Sequence, residues 1–103
     1  MALETQEYVE ILSDIIKIKS VNDNELEVAE YLKNLFQKNG IDSQIIPIKG
    51  KRANLVAEIG EGSPVLAVSG HMDVVDPGDV AAWDSDPFTL TEKDDKFFGR
   101  GIT

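Results

Sequence analysis

Cysteine is absent from this 103-residue sequence, and histidine and tryptophan each occur once. Without cysteine the chain can form neither disulfides nor thiolate metal sites, a composition that fits a reducing compartment. No apolar run approaches the roughly 20 residues of a membrane-spanning helix. The first residues also lack the basic and then apolar order of a signal peptide. We therefore expect a cytoplasmic location.

Basic residues are also scarce: 10 lysines and arginines stand against 19 aspartates and glutamates, giving a net charge of −9. Because binding to nucleic-acid backbones or anionic membranes requires a basic surface, we expect neither as a partner. Hydrophobic residues make up 42% of the sequence, which is ordinary for a globular protein. The length allows at most one small domain.

Hydrophobic spacing predicts two helices, the first over residues 4–18 and the second between a capping Asn24 and a terminating Gly40. Strands are predicted at 41–48, 52–59, 65–69, 88–93 and 96–98. The short link before residue 65 favours a hairpin between the second and third strands. We expect an α/β fold in which two amino-terminal helices pack on one mixed β-sheet.

Residues 65–75 carry the candidate chemistry. An apolar run ends at Gly70, His71 follows, and Asp73 stands two residues later. A run without polar alternation predicts a strand buried on both faces, and open α/β sheets place ligands at the carboxyl ends of strands. Residues i and i+2 share a face of extended backbone, so the two side chains are expected to point into one space. These residues alone leave two possibilities open: a zinc ligand oriented by a carboxylate, or a packed histidine with a hydrogen-bond partner.

The stretch from 76 to 87 has no clear periodicity and predicts a long loop, which is more often functional than decorative. Its aspartates do not match the spacing of a calcium-binding loop, so we expect solvated carboxylates. Trp83 is expected to pack within the loop or core, and Arg100, between two glycines, to pair with a carboxylate.

Several short motifs follow one another in a fixed order: Ser69-Gly70-His71-Met72-Asp73-Val74-Val75, Pro77-Gly78-Asp79, Trp83, Asp86-Pro87-Phe88 and Gly99-Arg100-Gly101. Together they resemble the amino-terminal part of the dizinc amidohydrolases that include succinyl-diaminopimelate desuccinylase, acetylornithine deacetylase, aminoacylase and carboxypeptidase G. The resemblance extends over essentially the whole chain and is strongest to the succinyl-diaminopimelate desuccinylase branch. It implies a zinc-peptidase-like catalytic domain of the phosphorylase/hydrolase-like kind. Asp76 is a small departure, since many members carry proline there.

The resemblance implies that His71 ligates one of two zinc ions, with cobalt as a possible substitute. Asp73, the candidate catalytic residue, would hold the imidazole and tune the metal. Family members place a bridging aspartate at the position just beyond Thr103, with the general-base glutamate and the other ligands later. We therefore expect residues 1–103 to be the amino-terminal part of a truncated catalytic domain, without the rest of that domain or the dimerisation domain.

The activity that the resemblance implies is hydrolysis of the amide bond of an N-acyl amino acid. N-succinyl-L,L-diaminopimelate, on the route to lysine and diaminopimelate, is the leading substrate, and acetylornithine deacetylase or dipeptidase activity is the alternative within the family. We expect the fragment alone to be inactive and to self-associate through open sheet edges, and the parent to be a homodimer. The alternative from another class is a non-catalytic interaction or structural module.

Overall fold

The computed structural model describes residues 2–103. Its regular elements are two α-helices, α1 (Thr5–Lys17) and α2 (Leu26–Lys38), and four strands, β1 (Ser43–Lys49), β2 (Arg52–Ala57), β3 (Thr91–Lys93) and β4 (Lys96–Phe98). Strands β1 and β2 form one antiparallel sheet, and β3 and β4 form a second. The expected α/β class is confirmed. None of the helices described over residues 2–103 is both long enough and apolar enough to cross a bilayer.

Helix α1 starts and ends within a residue of the predicted bounds. At its start the Glu7 carboxylate accepts a hydrogen bond from the backbone N–H of Glu4 at 2.7 Å. Lys17 lies in the last turn, where a cation complements the helix dipole. Ile16, on the inner face, is 7% exposed. A Cβ atom at Gly99 would lie 3.1 Å from Cγ2 of Ile16, so the end of α1 lies against the carboxyl-terminal segment, residues 99–103.

The predicted Asn24 cap of α2 is wrong. The backbone N–H of Leu26, the first residue of the helix, instead donates to the carbonyl of Lys51 at 2.9 Å. The Asn24 side chain donates to the carbonyl of Lys19 at 3.0 Å, within the linker between the helices. A carbonyl from the β1–β2 turn thus satisfies one of the free N–H groups at the helix start. Because this turn is distant from the helix in sequence, no local motif indicates the contact.

The core lies where α2 packs on β1 and β2. Val28 and Ala29 of α2 are 2% and 0% exposed, and Ala53 of β2 is 1% exposed. Gly40 ends α2 with a φ of 73°, as its position after the helix predicts.

An ionic contact joins the hairpin to the linker and to α2. Arg52 Nε lies 3.2 Å from an Asp23 carboxylate oxygen and 3.3 Å from Oε1 of Glu25. The Glu25 side chain is only 7% exposed. Because a buried carboxylate is costly without a partner, Arg52 stabilises the linker in this position.

A second contact joins the helices to each other. The Tyr31 hydroxyl donates to the Asp14 carboxylate at 3.0 Å. Burial, and then the hydrogen bond and charge of Asp14, raise the pKa of Tyr31 above its ordinary value. The raised pKa means that folding favours the protonated phenol. This contribution is complete at neutral pH and is lost as the pH rises from the unfolded value through the folded one.

The expected single mixed sheet is wrong, and so is the predicted strand at 65–69. Among the described residues this segment forms no ladder, and Val65, Leu66 and Val68 are 76%, 88% and 89% exposed. Strand β2 pairs with β1, not with this segment. A strand buried on both faces needs neighbours in its ladder, and residues 2–103 supply none here. The apolar residues of this segment could be buried in a sheet, but residues 2–103 contain no strand that pairs with it.

Replacing Ile16 by alanine should destabilise the chain by roughly 2–5 kcal/mol, because it removes buried methylene groups and leaves a cavity. The matched control is Ile59→Ala, the same chemical change at a residue that is 78% exposed, which should cost less than about 0.5 kcal/mol. Urea unfolding followed by circular dichroism measures both. Equal losses would contradict the assignment of Ile16 to the core.

Candidate metal centre

Backbone hydrogen bonds fix the residue that follows the His71–Asp73 pair. The N–H of Val74 donates to the carbonyl of Ser20, and the N–H of Asn22 donates to the carbonyl of Val74, both at 2.9 Å. Val21 and Val74 thereby form an isolated parallel bridge. Ser20 is 2% exposed, so this contact is shielded from water. The linker between α1 and α2 therefore positions the candidate site.

The structure brings His71 and Asp73 together. Nδ1 of His71 lies 2.9 Å from the backbone oxygen of Asp73 and 3.4 Å from its carboxylate Oδ1. The carbonyl is the principal partner, since the carboxylate stands beyond the usual hydrogen-bond length. Both oxygens can only accept, so in the neutral ring Nδ1 carries the hydrogen and Nε2 keeps its lone pair.

This arrangement is the one that metal-binding histidines adopt. Their second ring N–H commonly donates to a carbonyl or carboxylate, which selects the tautomer and orients the ring. The His71 side chain is 85% exposed, and that of Asp73 is 38% exposed. The ring is therefore oriented at Nδ1 and accessible elsewhere, as a ligand that binds through Nε2 would be.

The described residues fit one zinc ligand and not a whole zinc site. Zinc normally takes three or four protein ligands. Within residues 2–103, no group of three or more histidine, aspartate or glutamate side chains is placed to hold a metal ion. Whether His71 binds metal and Asp73 acts in catalysis stays a prediction.

A cleft of about 280 Å³ lies beside the pair. Residues from α1, the linker and the carboxyl-terminal segment line it together with the candidate ligand, among them Ser20, His71, Asp73, Val74, Arg100 and Gly101. Val28 and Leu32 of α2 and Phe88 line it as well, so parts of the chain that are distant in sequence meet at the candidate metal centre.

Arg100 stacks on an aromatic ring and makes no ion pair with a carboxylate among the described residues, so its expected pairing is wrong. Its guanidinium carbon lies 4.9 Å from the centre of the Trp83 ring, and its backbone N–H donates to the carbonyl of Pro87 at 2.7 Å. The Trp83 ring N–H in turn donates to the carbonyl of Pro77 at 3.0 Å. These contacts attach the long loop to the segment that contains Arg100.

The aspartates of the loop shape its backbone. Each of three accepts a hydrogen bond from the backbone N–H two residues further along, at 2.7, 3.0 and 2.9 Å: Asp76 from Gly78, Asp79 from Ala81 and Asp86 from Phe88. These are Asx turns, a common use of aspartate in loops. These carboxylates were expected only to be solvated, and their role in the turns was not predicted, although the Asp-Pro pairs at 76 and 86 are a turn signal that could have indicated it.

Part of the chain is similar to a known peptidase family. Residues 67–103, which contain the His71–Asp73 pair and the Arg100 segment, match Peptidase family M20/M25/M40. The resemblance predicted from the ordered motifs is thereby confirmed.

The particular relatives are desuccinylases. A probable succinyl-diaminopimelate desuccinylase of Staphylococcus epidermidis is 57% identical over 98% of this chain, and one of Staphylococcus aureus (strain MRSA252) is 54% identical over 95%. A succinyl-diaminopimelate desuccinylase of Wolbachia pipientis wMel is 34% identical over 90%. The chain spans about a quarter of the length of these relatives, at 25%, 24% and 23% respectively.

Replacing Asp86 by alanine should destabilise the chain by about 1 kcal/mol, because the N–H of Phe88 loses its acceptor. Asp86→Asn should cost less, since asparagine keeps an acceptor oxygen. Asp84→Ala is the matched control, as Asp84 makes no such side-chain bond in the described part of the chain, and it should stay within about 0.5 kcal/mol. Urea unfolding compares the three variants. A loss at Asp84 as large as that at Asp86 would contradict the turn assignment.

Proposed function

We propose that this chain is the amino-terminal part of the catalytic domain of a metal-dependent amidohydrolase, with zinc as its metal and cobalt as a substitute. The family match and the desuccinylase relatives support the hydrolase class. One observation carries the metal assignment: His71 Nδ1 lies 2.9 Å from the carbonyl oxygen of Asp73, which leaves Nε2 as the lone-pair nitrogen of an exposed ring.

In this proposal His71 holds the metal through Nε2. Asp73 orients the imidazole through its carbonyl. Its carboxylate, at 3.4 Å, raises the basicity of the imidazole as a metal ligand. A bound metal would lower the pKa of a water molecule and polarise the amide carbonyl. The contribution of this chain is therefore one ligand, the groups that orient it, and one wall of the cleft.

For the whole protein we propose N-succinyl-L,L-diaminopimelate as the substrate, cleaved to succinate and diaminopimelate during lysine biosynthesis in the cytoplasm. The names of the similar proteins support this choice of acyl group and amino acid.

The 103 residues alone should not catalyse hydrolysis, because the described residues provide one ligand where a zinc site needs three or four. They should also self-associate, since Val65, Leu66 and Val68 are largely exposed and their backbone is unpaired. The whole protein would cover this surface, and we propose that it is a homodimer.

Calorimetric titration of the 103-residue chain with zinc should give a dissociation constant above about 1 µM. This corresponds to a binding free energy smaller in magnitude than about 8 kcal/mol. Complete structural zinc sites release about 10–16 kcal/mol. His71→Ala should abolish the binding, whereas Asp84→Ala, which removes a loop carboxylate, should leave it unchanged. Tight binding of two ions, or binding that survives His71→Ala, would contradict the proposal.

In the whole protein, the His71→Ala substitution distinguishes an enzyme from a non-catalytic module. His71→Ala should abolish hydrolysis of the succinyl substrate and lower the zinc content. Unchanged activity and metal content would show that His71 is neither a metal ligand nor a catalytic residue.

A further inference from the structure

We propose that Gly101 is a positioning residue for the His71–Asp73 pair and acts on it through Val74. This inference rests on the proposed function, in which His71 is a metal ligand, and its evidence is the geometry of the chain. A Cβ atom at position 101 would lie 3.0 Å from Cγ1 of Val74. Carbon atoms in contact normally stand about 3.5–4.0 Å apart, so a side chain here would push Val74 away.

Val74 has little freedom to move aside. Its N–H is bonded to Ser20 and its carbonyl to Asn22, both at 2.9 Å. On the other side, the segment of Gly101 is held by the bond from the Arg100 N–H to Pro87 and by a bond from the Ile102 N–H to Gly99 at 3.2 Å. Relieving the contact would therefore displace one of the two segments by a few tenths of an ångström and strain the hydrogen bonds on that side.

The peptide unit between Asp73 and Val74 transmits the displacement to the candidate ligand. Its N–H donates to Ser20, and its carbonyl accepts the hydrogen bond from Nδ1 of His71 at 2.9 Å. Because a peptide unit is planar and rigid, moving its N–H away from Ser20 also moves its carbonyl relative to His71. The orientation and tautomer of His71 thus depend on the space that Gly101 leaves open.

Position 101 also has a backbone requirement, and the test must separate the two effects. Gly101 has a φ of +98°, where residues with a Cβ are strained. Gly78 has a comparable φ of +74°, but a Cβ there would meet nothing within 4 Å. Gly78→Ala therefore places a Cβ at a positive φ without the contact to Val74.

The experiment measures the tautomer of His71 by ¹⁵N NMR of the imidazole ring, in the metal-free 103-residue chain at a pH where the ring is neutral. The unmodified chain should hold the hydrogen on Nδ1. Gly101→Ala should shift the tautomer equilibrium about tenfold towards Nε2–H, the change expected when one hydrogen bond is lost. Gly78→Ala should leave the tautomer unchanged, and Val74→Ala combined with Gly101→Ala should restore it by removing Cγ1.

Each outcome decides the proposal. An unchanged tautomer in Gly101→Ala, an equal change in Gly78→Ala, or no recovery in the double variant would overturn it. If Gly101→Ala unfolds the chain, recovery of folding and tautomer in the double variant supports the proposal, and failure to recover overturns it. The readout needs no metal, so failure here leaves the zinc titration of the unmodified chain as a separate test of the proposed function.

Discussion

The candidate site depends on one peptide unit, the one that joins Asp73 to Val74. Its N–H is bonded to Ser20 in the buried linker after α1, and its carbonyl accepts the hydrogen bond that orients His71. The same rigid plane therefore connects the helical part of the chain to the candidate metal ligand. Without the bond to Ser20, His71 would belong to a long exposed segment. The carbonyl that orients its ring would then not be held in place.

The rest of the fold holds that linker in place. The carbonyl of Lys51 caps α2, and Arg52 bonds to the carboxylates of Asp23 and Glu25, so the hairpin fixes the end of the linker nearest α2. Burial of Ile16 fixes the end nearest α1. Helices and hairpin thus form the scaffold, and the apolar segment before His71 contributes no ladder contacts within the described residues.

Local interactions made much of this predictable from the sequence. Helix periodicity located α1 and α2, and the i, i+2 relation placed Asp73 beside His71. The strand at 65–69 was wrong because its burial requires partners, which residues 2–103 do not provide. The bond between Val74 and Ser20 could not be predicted, since backbone groups are the same at every residue and leave no pattern in the sequence. The ordered motifs indicated the family where no single residue could, because a set of motifs in a fixed order and spacing is far more specific than any one of them.

Amide hydrogen exchange in the 103-residue chain, measured at a dilution where the chain is monomeric, tests the central claim most directly. If the peptide unit between Asp73 and Val74 is held by Ser20, the Val74 amide should exchange at least roughly tenfold more slowly than the amide of Leu66 in the unpaired segment, after correction for intrinsic rates. The Asn22 amide, which is bonded to the Val74 carbonyl, should be protected to a similar degree. Exchange of Val74 as fast as that of Leu66 would contradict the account, because nothing would then hold the group that orients His71.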